Sequence, residues 1–136
     1  MVSHPGHLEA RDSAQAAGEL LGRPEVRAIY VTEDERLVGV VTRKTLVREV
    51  VAAGRDPRTT PLGEIAEPPD HTIGPDVPLE EAFRFLEKQL AERVPVVDGS
   101  GRLIGVLSRS VLQRRLAEDE EPPDEGEEPP DLPPAA

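Results

Sequence analysis

The sequence contains no cysteine. Disulfides and thiolate metal sites are thereby excluded, and a reducing cytoplasm suits such a chain. Aromatic residues are almost as scarce, with one Tyr, two Phe and no Trp. So few rings cannot build a stacking platform for single-stranded nucleic acid. A basic stripe, which duplex binding requires, is missing as well, since the formal net charge is −11. No apolar run approaches the roughly 20 residues that cross a bilayer. Met1 to Ala10 has neither a basic start nor an apolar stretch, so it does not read as a secretory signal. The expectation is a cytoplasmic protein with no nucleic-acid and no membrane partner.

The acidity is unevenly spread. Residues 118–136 hold nine acidic groups, six prolines and no basic group, which leaves the rest of the chain near −2. A segment with so little apolar surface and so much like charge is expected to stay disordered. It serves either as a solubilising tail or as a docking segment for a basic surface.

What the chain does have is an internal repeat. Residues 36–43 read Arg-Leu-Val-Gly-Val-Val-Thr-Arg, and residues 102–109 read Arg-Leu-Ile-Gly-Val-Leu-Ser-Arg. Upstream, Ile29-Tyr30-Val31 lies opposite Val94-Pro95-Val96, and Ala17, Leu20 and Leu21 lie opposite Ala82, Phe85 and Leu86. The offset is 66 for the first match and 65 for the others. The extra residue therefore falls in a hairpin turn, where length change is tolerated.

Periodicity gives the elements of each copy. In the second, His71-Thr72-Ile73 reads as a short strand. Asp76 is a capping candidate, Pro78 suits a first helical turn, and Leu79, Ala82, Phe83, Leu86 and Leu90 recur at helical spacing. Val94 to Val97 suits a strand buried on both faces. Asp98-Gly99-Ser100-Gly101 is turn chemistry, Leu103 to Leu107 a returning strand, and Val111, Leu112 and Leu116 open a last helix. The first copy matches. A helix capped by Asp12 runs to Leu21, strands follow at Ala28–Thr32 and Leu37–Val41, and a second helix uses Leu46, Val47, Val50 and Val51. Each copy is β-α-β-β-α. One alone is too small to close a core, so the two must pack together. The divisions are a first copy over 1–56, a linker over 57–70, a second copy over 71–117 and the tail over 118–136. Gly39 and Gly105 sit inside strands, where close backbone packing explains them better than a phosphate loop does.

This order of elements resembles the CBS domain, named after cystathionine β-synthase. The residues that carry the resemblance are Val94-Pro95-Val96-Val97-Asp98, Gly101 to Ser108, Pro75 to Ala82, and Gly39-Val40-Val41-Thr42-Arg43. The resemblance implies an α/β fold of the α+β type: two tandem repeats about a pseudo-twofold axis, with two small sheets flanked by helices. It also implies a homodimer formed through the helices, and a cleft that binds an adenosine-containing ligand such as AMP, ATP or S-adenosylmethionine. It implies no catalysis and no required cofactor; a separate effector protein would respond.

The family's ligand pattern is Gly-apolar-x-Thr/Ser-x-x-Asp. Thr42 and Ser108 fill its hydroxyl position. Its acidic position, which would grip the ribose hydroxyls, holds Thr45 and Val111 instead. A Thr hydroxyl can accept one hydrogen bond and a Val none. The resemblance places one cleft along Val40, Thr42, Arg43, Lys44 and Thr45, facing Ile65, Ala66, Arg93, Val94 and Pro95. A second, weaker cleft would use Val106, Ser108 and Ser110 against His7, Ile29 and Tyr30. The first is favoured because Arg43, Lys44 and Arg93 could meet phosphates.

Plainer roles stand beside these. Thr42 and Ser108 suit helix caps, and Arg43 and Arg109 suit solvated surface charges. His4 and His7 are three apart with no further ligand at fixed spacing, so no metal site is expected. No catalytic constellation stands out. The alternative to a nucleotide sensor is a scaffold of the same fold that works by protein contact, motivated by Thr45, Val111 and the acidic tail.

Overall fold

A computed structural model describes residues 6–120. His4 and all of the expected tail beyond residue 120 lie outside the described residues. The described chain forms two compact units, one of residues 6–76 and 94–106, the other of residues 77–93 and 107–120.

The first unit carries the sheets. Strand β1 (His7–Glu9) leads to helix α1 (Ala14–Leu21), then to β2 (Ile29–Glu33) and β3 (Arg36–Val41). They form a three-stranded sheet ordered β1-β2-β3, with β1 parallel and β3 antiparallel to β2. Strand β2 is buried over its first four residues, as an apolar run covered on both faces should be. Ala17, Leu21, Val26, Ile29, Val31 and Val41 pack its core. His7 Nε2 lies 2.8 Å from Thr32 Oγ1, so the opening histidine ties β1 to β2.

Strands β4 (Arg93–Val97) and β5 (Leu103–Ser108) make the second sheet. Ile73 joins it through a parallel bridge to Val96. In the first sheet Leu8 pairs with Val31 in the same parallel sense, and each member of that pair stands 65 residues before its counterpart. The expected strand at His71–Ile73 is thus reduced to one bridge.

The hairpins explain the change of offset. Asp34 and Glu35 form a two-residue turn with φ of 52° and 70°, the positive pair that a tight antiparallel hairpin demands. The second hairpin spends one residue more. Gly101, at φ 88°, follows a turn closed by Gly101 N donating to Asp98 O at 3.0 Å. Asp98 Oδ1 accepts from Ser100 N at 2.9 Å, Ser100 Oγ at 2.9 Å and Arg102 N at 3.0 Å. Those donors, the Arg102 amide first and the Ser100 hydroxyl next, hold the Asp98 carboxyl below the usual carboxylate range.

After β3, helix α2 (Arg43–Leu46) runs on as a π-helical stretch over Val47–Val51. Only part of the expected stripe is buried there: Val50 is 4 % exposed, whereas Val47 and Val51 are 58 % and 73 % exposed. The segment expected to be a plain linker contains a short helix, α3 (Leu62–Ile65). Leu62 and Ile65 enter the core of the first sheet, because two apolar side chains on one turn can cap that core where the polar neighbours cannot.

The second unit holds α4 (Leu79–Lys88) and α5 (Arg109–Glu120), which pack on each other. Ala82, Leu86 and Leu112 are buried. Three local expectations are corrected. Ser13, not Asp12, caps α1, accepting from Ala16 N at 3.1 Å, while Asp12 Oδ2 accepts from Glu9 N. Helix α4 begins after Pro78 with no side-chain cap, so Asp76 does not serve. Leu90 falls outside α4, at φ 56° and 88 % exposed, because the helix ends before it.

Candidate functional site

The end of β3, the start of α2 and the segment after α3 lie side by side. Val40 and Glu67 exchange both backbone bonds, Val40 N to Glu67 O at 2.7 Å and Glu67 N to Val40 O at 2.9 Å. Gly39 permits this approach. A Cβ there would lie 2.7 Å from Ala66 Cβ and 2.9 Å from Glu67 O, closer than real Cβ atoms come. Val40, Ile65 and Ala66 are thus brought together. Ile65 itself is 4 % exposed and belongs to the core, so Ala66 and the Glu67 backbone present the surface.

Thr42 starts α2 in extended conformation, and its Oγ1 accepts from Thr45 N at 3.3 Å. Thr45 Oγ1 reaches back to accept from Thr42 N at 3.0 Å, and the two hydroxyl oxygens are 3.1 Å apart. This reciprocal capping box satisfies two otherwise orphan amides. Thr45 is 1 % exposed, so its hydroxyl is committed to the helix cap. Arg43 is neither free nor merely solvated. Its guanidinium donates to Arg23 O and Val26 O, both at 2.9 Å, and pins the turn that precedes β2. Lys44 is exposed and has no hydrogen-bond or ion-pair partner among the described residues. Of the residues expected opposite, Val94 and Pro95 are buried in β4, and Arg93 is half-buried at its start.

The residues of the weaker cleft are mostly engaged. Ile29 and Tyr30 are 0 % and 4 % exposed, and Val106 is half-buried in β5. Ser108 Oγ accepts from Val111 N at 3.2 Å and so caps α5. Ser110 gives both its amide and its hydroxyl to Glu92 Oε2, at 3.4 and 3.2 Å. Glu92 also accepts the Arg109 amide on its carbonyl at 2.7 Å and lies 3.7 Å from the Arg109 guanidinium. A carboxylate of the chain therefore occupies the N-terminal end of α5, where the helix dipole favours an anion. The residue 65 positions before Glu92 is Arg27, so the first copy places a cation where the second has this carboxylate. No pairing in the sequence announced the Glu92 clamp; the sign reversal at that repeat position was its one visible trace.

Comparison with known proteins adds the following. The family model described as CBS domain matches residues 1–52 and 62–118. Hypoxic response protein 1 of Mycobacterium tuberculosis is 28% identical over 108 residues, which covers 79% of this chain and 75% of that protein. A crystal structure of Hypoxic Response Protein I with two coordinated zinc ions is 25% identical, with a TM-score of 0.66, covering 85% of this chain and 91% of that one. A crystal structure of CBSX2 in complex with AMP is 27% identical, with a TM-score of 0.65, covering 84% and 88%. Among the described residues, no group of three or more His, Cys, Asp or Glu side chains is placed to hold a metal ion.

Proposed function

Since the chain belongs to the CBS domain family, we propose that it is a non-catalytic regulatory module that binds an adenosine-containing ligand of the AMP, ATP or S-adenosylmethionine class beside Thr42. The observation that carries this reading is the AMP complex of a relative 27% identical to this chain over 84% of its length. Local chemistry supports the first copy as the binding copy. Lys44 offers an unpaired ammonium close to the start of α2. The corresponding helix end in the second copy is already neutralised by Glu92. Gly39 keeps the Ala66–Glu67 backbone pressed against β3, so the wall beside Thr42 is close-packed backbone whose Val40 and Glu67 amides and carbonyls are already paired with each other.

The capping box sets the expected strength. Thr42 Oγ1 accepts from the Thr45 amide and bonds the Thr45 hydroxyl, which leaves it one further hydrogen-bonding position, but Thr45 does not supply the carboxylate that grips ribose in the family pattern. Affinity should therefore depend on the phosphate and the base more than on the ribose. Calorimetric titration with AMP, ATP and S-adenosylmethionine tests this. Heat of binding with at least one, abolished in Lys44→Ala and weakened in Thr42→Ala, is expected. Absence of heat, and of any rise in Tm, with millimolar amounts of all three would remove the proposal, because a ligand of the native state must stabilise it.

A second reading, a protein-contact scaffold that no longer takes nucleotide, draws on the commitment of Thr45 to its helix cap and on Val111, which has no hydroxyl at all. It predicts a partner retained by the full chain and lost when residues 118–136 are deleted, with no nucleotide effect. In either reading the module acts as a homodimer, and a separate effector protein responds to it.

A further inference from the structure

The segment that joins the two copies crosses from one sheet to the other. Glu67 exchanges both backbone bonds with Val40 on the edge of the first sheet. Six residues later Ile73 donates to Pro95 O at 3.1 Å and accepts from Val97 N at 2.9 Å, at the edge of the second sheet. The described residues of this crossing all belong to the first unit.

The first copy shows the later half of the same crossing. Leu8 pairs with Val31 as Ile73 does with Val96, and Gly6 O accepts from Tyr30 N at 2.6 Å. Counting back six residues from Leu8, the distance from Ile73 to Glu67, gives Val2; Met1 likewise stands 65 residues before Ala66. Met1 to Pro5 lie outside the described residues.

The edge that would receive them is described. Val106 of β5 stands 66 residues after Val40, and Gly105 stands 66 after Gly39. Three residues before each valine, Leu37 N and Leu103 N both leave their own hairpin, for Gly101 O and Glu35 O. The two strands thus keep one register. The register that turns the Val40 amide and carbonyl toward Glu67 turns those of Val106 away from β4. Among the described residues, neither bonds outside its own hairpin. A bare strand edge of this kind is one that folds cover or block. Gly39 admits the neighbouring segment because a Cβ there would lie 2.7 Å from Ala66 Cβ. Gly105 keeps the same opening and is buried as Gly39 is.

We propose that the β5 edge at Gly105–Val106 is a strand-acceptor site filled by residues 1–3 of the same chain, Val2 exchanging both backbone bonds with Val106 as Glu67 does with Val40. Recognition is by the main chain, as in other strand additions, so the site takes an extended segment and Gly105 lets it approach closely. Valine at the central position suits a strand. No ligand takes part in the contact.

Hydrogen exchange and nuclear Overhauser contacts of the isotope-labelled full chain, without nucleotide, test the pairing. The Val106 amide should be protected to about the degree of the Val40 amide, its counterpart in the repeat. A cross-strand contact between Val2 and Val106 should appear, and both signals should persist on dilution. Val2→Pro removes the donor to Val106 O and should speed exchange at Val106 by about tenfold or more. Unchanged protection at Val40 and Ile73 in that variant shows that the fold is intact. A Val106 amide that exchanges freely in the wild type, the absence of a Val2–Val106 contact, or protection unmoved by Val2→Pro would each overturn the proposal. Protection lost on dilution would assign the strand to another copy and overturn the same-chain pairing.

Discussion

Arg36 and Arg102 face each other in an antiparallel bridge, and each is the other's counterpart in the repeat. Around them Leu37 N donates to Gly101 O and Leu103 N to Glu35 O, both at 3.0 Å. The pattern reads the same from either copy, so the two hairpins meet about a local twofold. Removing a donor from this exchange, with Leu37→Pro or Leu103→Pro, should cost about 1–3 kcal/mol, because an acceptor is left unmade. The Arg102–Glu35 ion pair at 2.6 Å is exposed on both sides. Glu35→Gln should therefore cost less than about 1 kcal/mol. Urea unfolding of the three variants checks the ordering.

Gly39 and Gly99 should respond oppositely to a methyl group. At Gly39 a Cβ would collide with Ala66 and the Glu67 carbonyl, whereas at Gly99 nothing lies within 4 Å. Gly39→Ala is expected to destabilise by about 1–3 kcal/mol through forced backbone displacement. Gly99→Ala should stay within about 0.5 kcal/mol, as for an open surface site. Thermal denaturation distinguishes them.

The Thr42–Thr45 box predicts a graded series. Thr42→Ser should be nearly neutral, since the cap oxygen is kept, while Thr42→Ala should cost about 1 kcal/mol. Thr45→Asp keeps an acceptor at the third helical position, favourable at a helix start, and supplies the carboxylate of the family pattern. Its AMP affinity should exceed that of the wild type, measured by calorimetry.

Asp98 supplies a pH dependence. Its folded carboxyl is held below its ordinary value by the Arg102 amide and the Ser100 hydroxyl. The unfolded chain therefore takes up the proton at higher pH than the folded one. The stabilisation is fully present above the unfolded carboxylate value near about 3.9 and is lost as pH falls through the folded value. In Asp98→Asn this part of the acid limb should flatten, so the stability gap between wild type and variant narrows from pH 6 to pH 3 in urea titrations.

Much of the fold was legible because it is written twice. The hairpin strands, the buried run at Val94–Val96, one residue shorter than expected, and the one-residue difference between turns all followed from the two copies. Single-copy features were harder. The helix at Leu62–Ile65 hides among prolines and glycines, and its core role depends on a sheet the local sequence does not describe. Ser13 and Asp12 are both good caps by type, and only the backbone conformation decides between them. At the site, Thr42 was readable as both cap and ligand contact. The roles of Arg43 and Glu92 were not, because each bonds residues 17 or more positions away.

The most direct measurement is an amide chemical-shift titration of isotope-labelled protein with AMP. The account predicts saturable shifts concentrated at residues 40–45 and 65–67, with residues 108–111 little changed because Glu92 already holds that helix end. Shifts confined to 108–111, or no shifts at millimolar AMP, would contradict it.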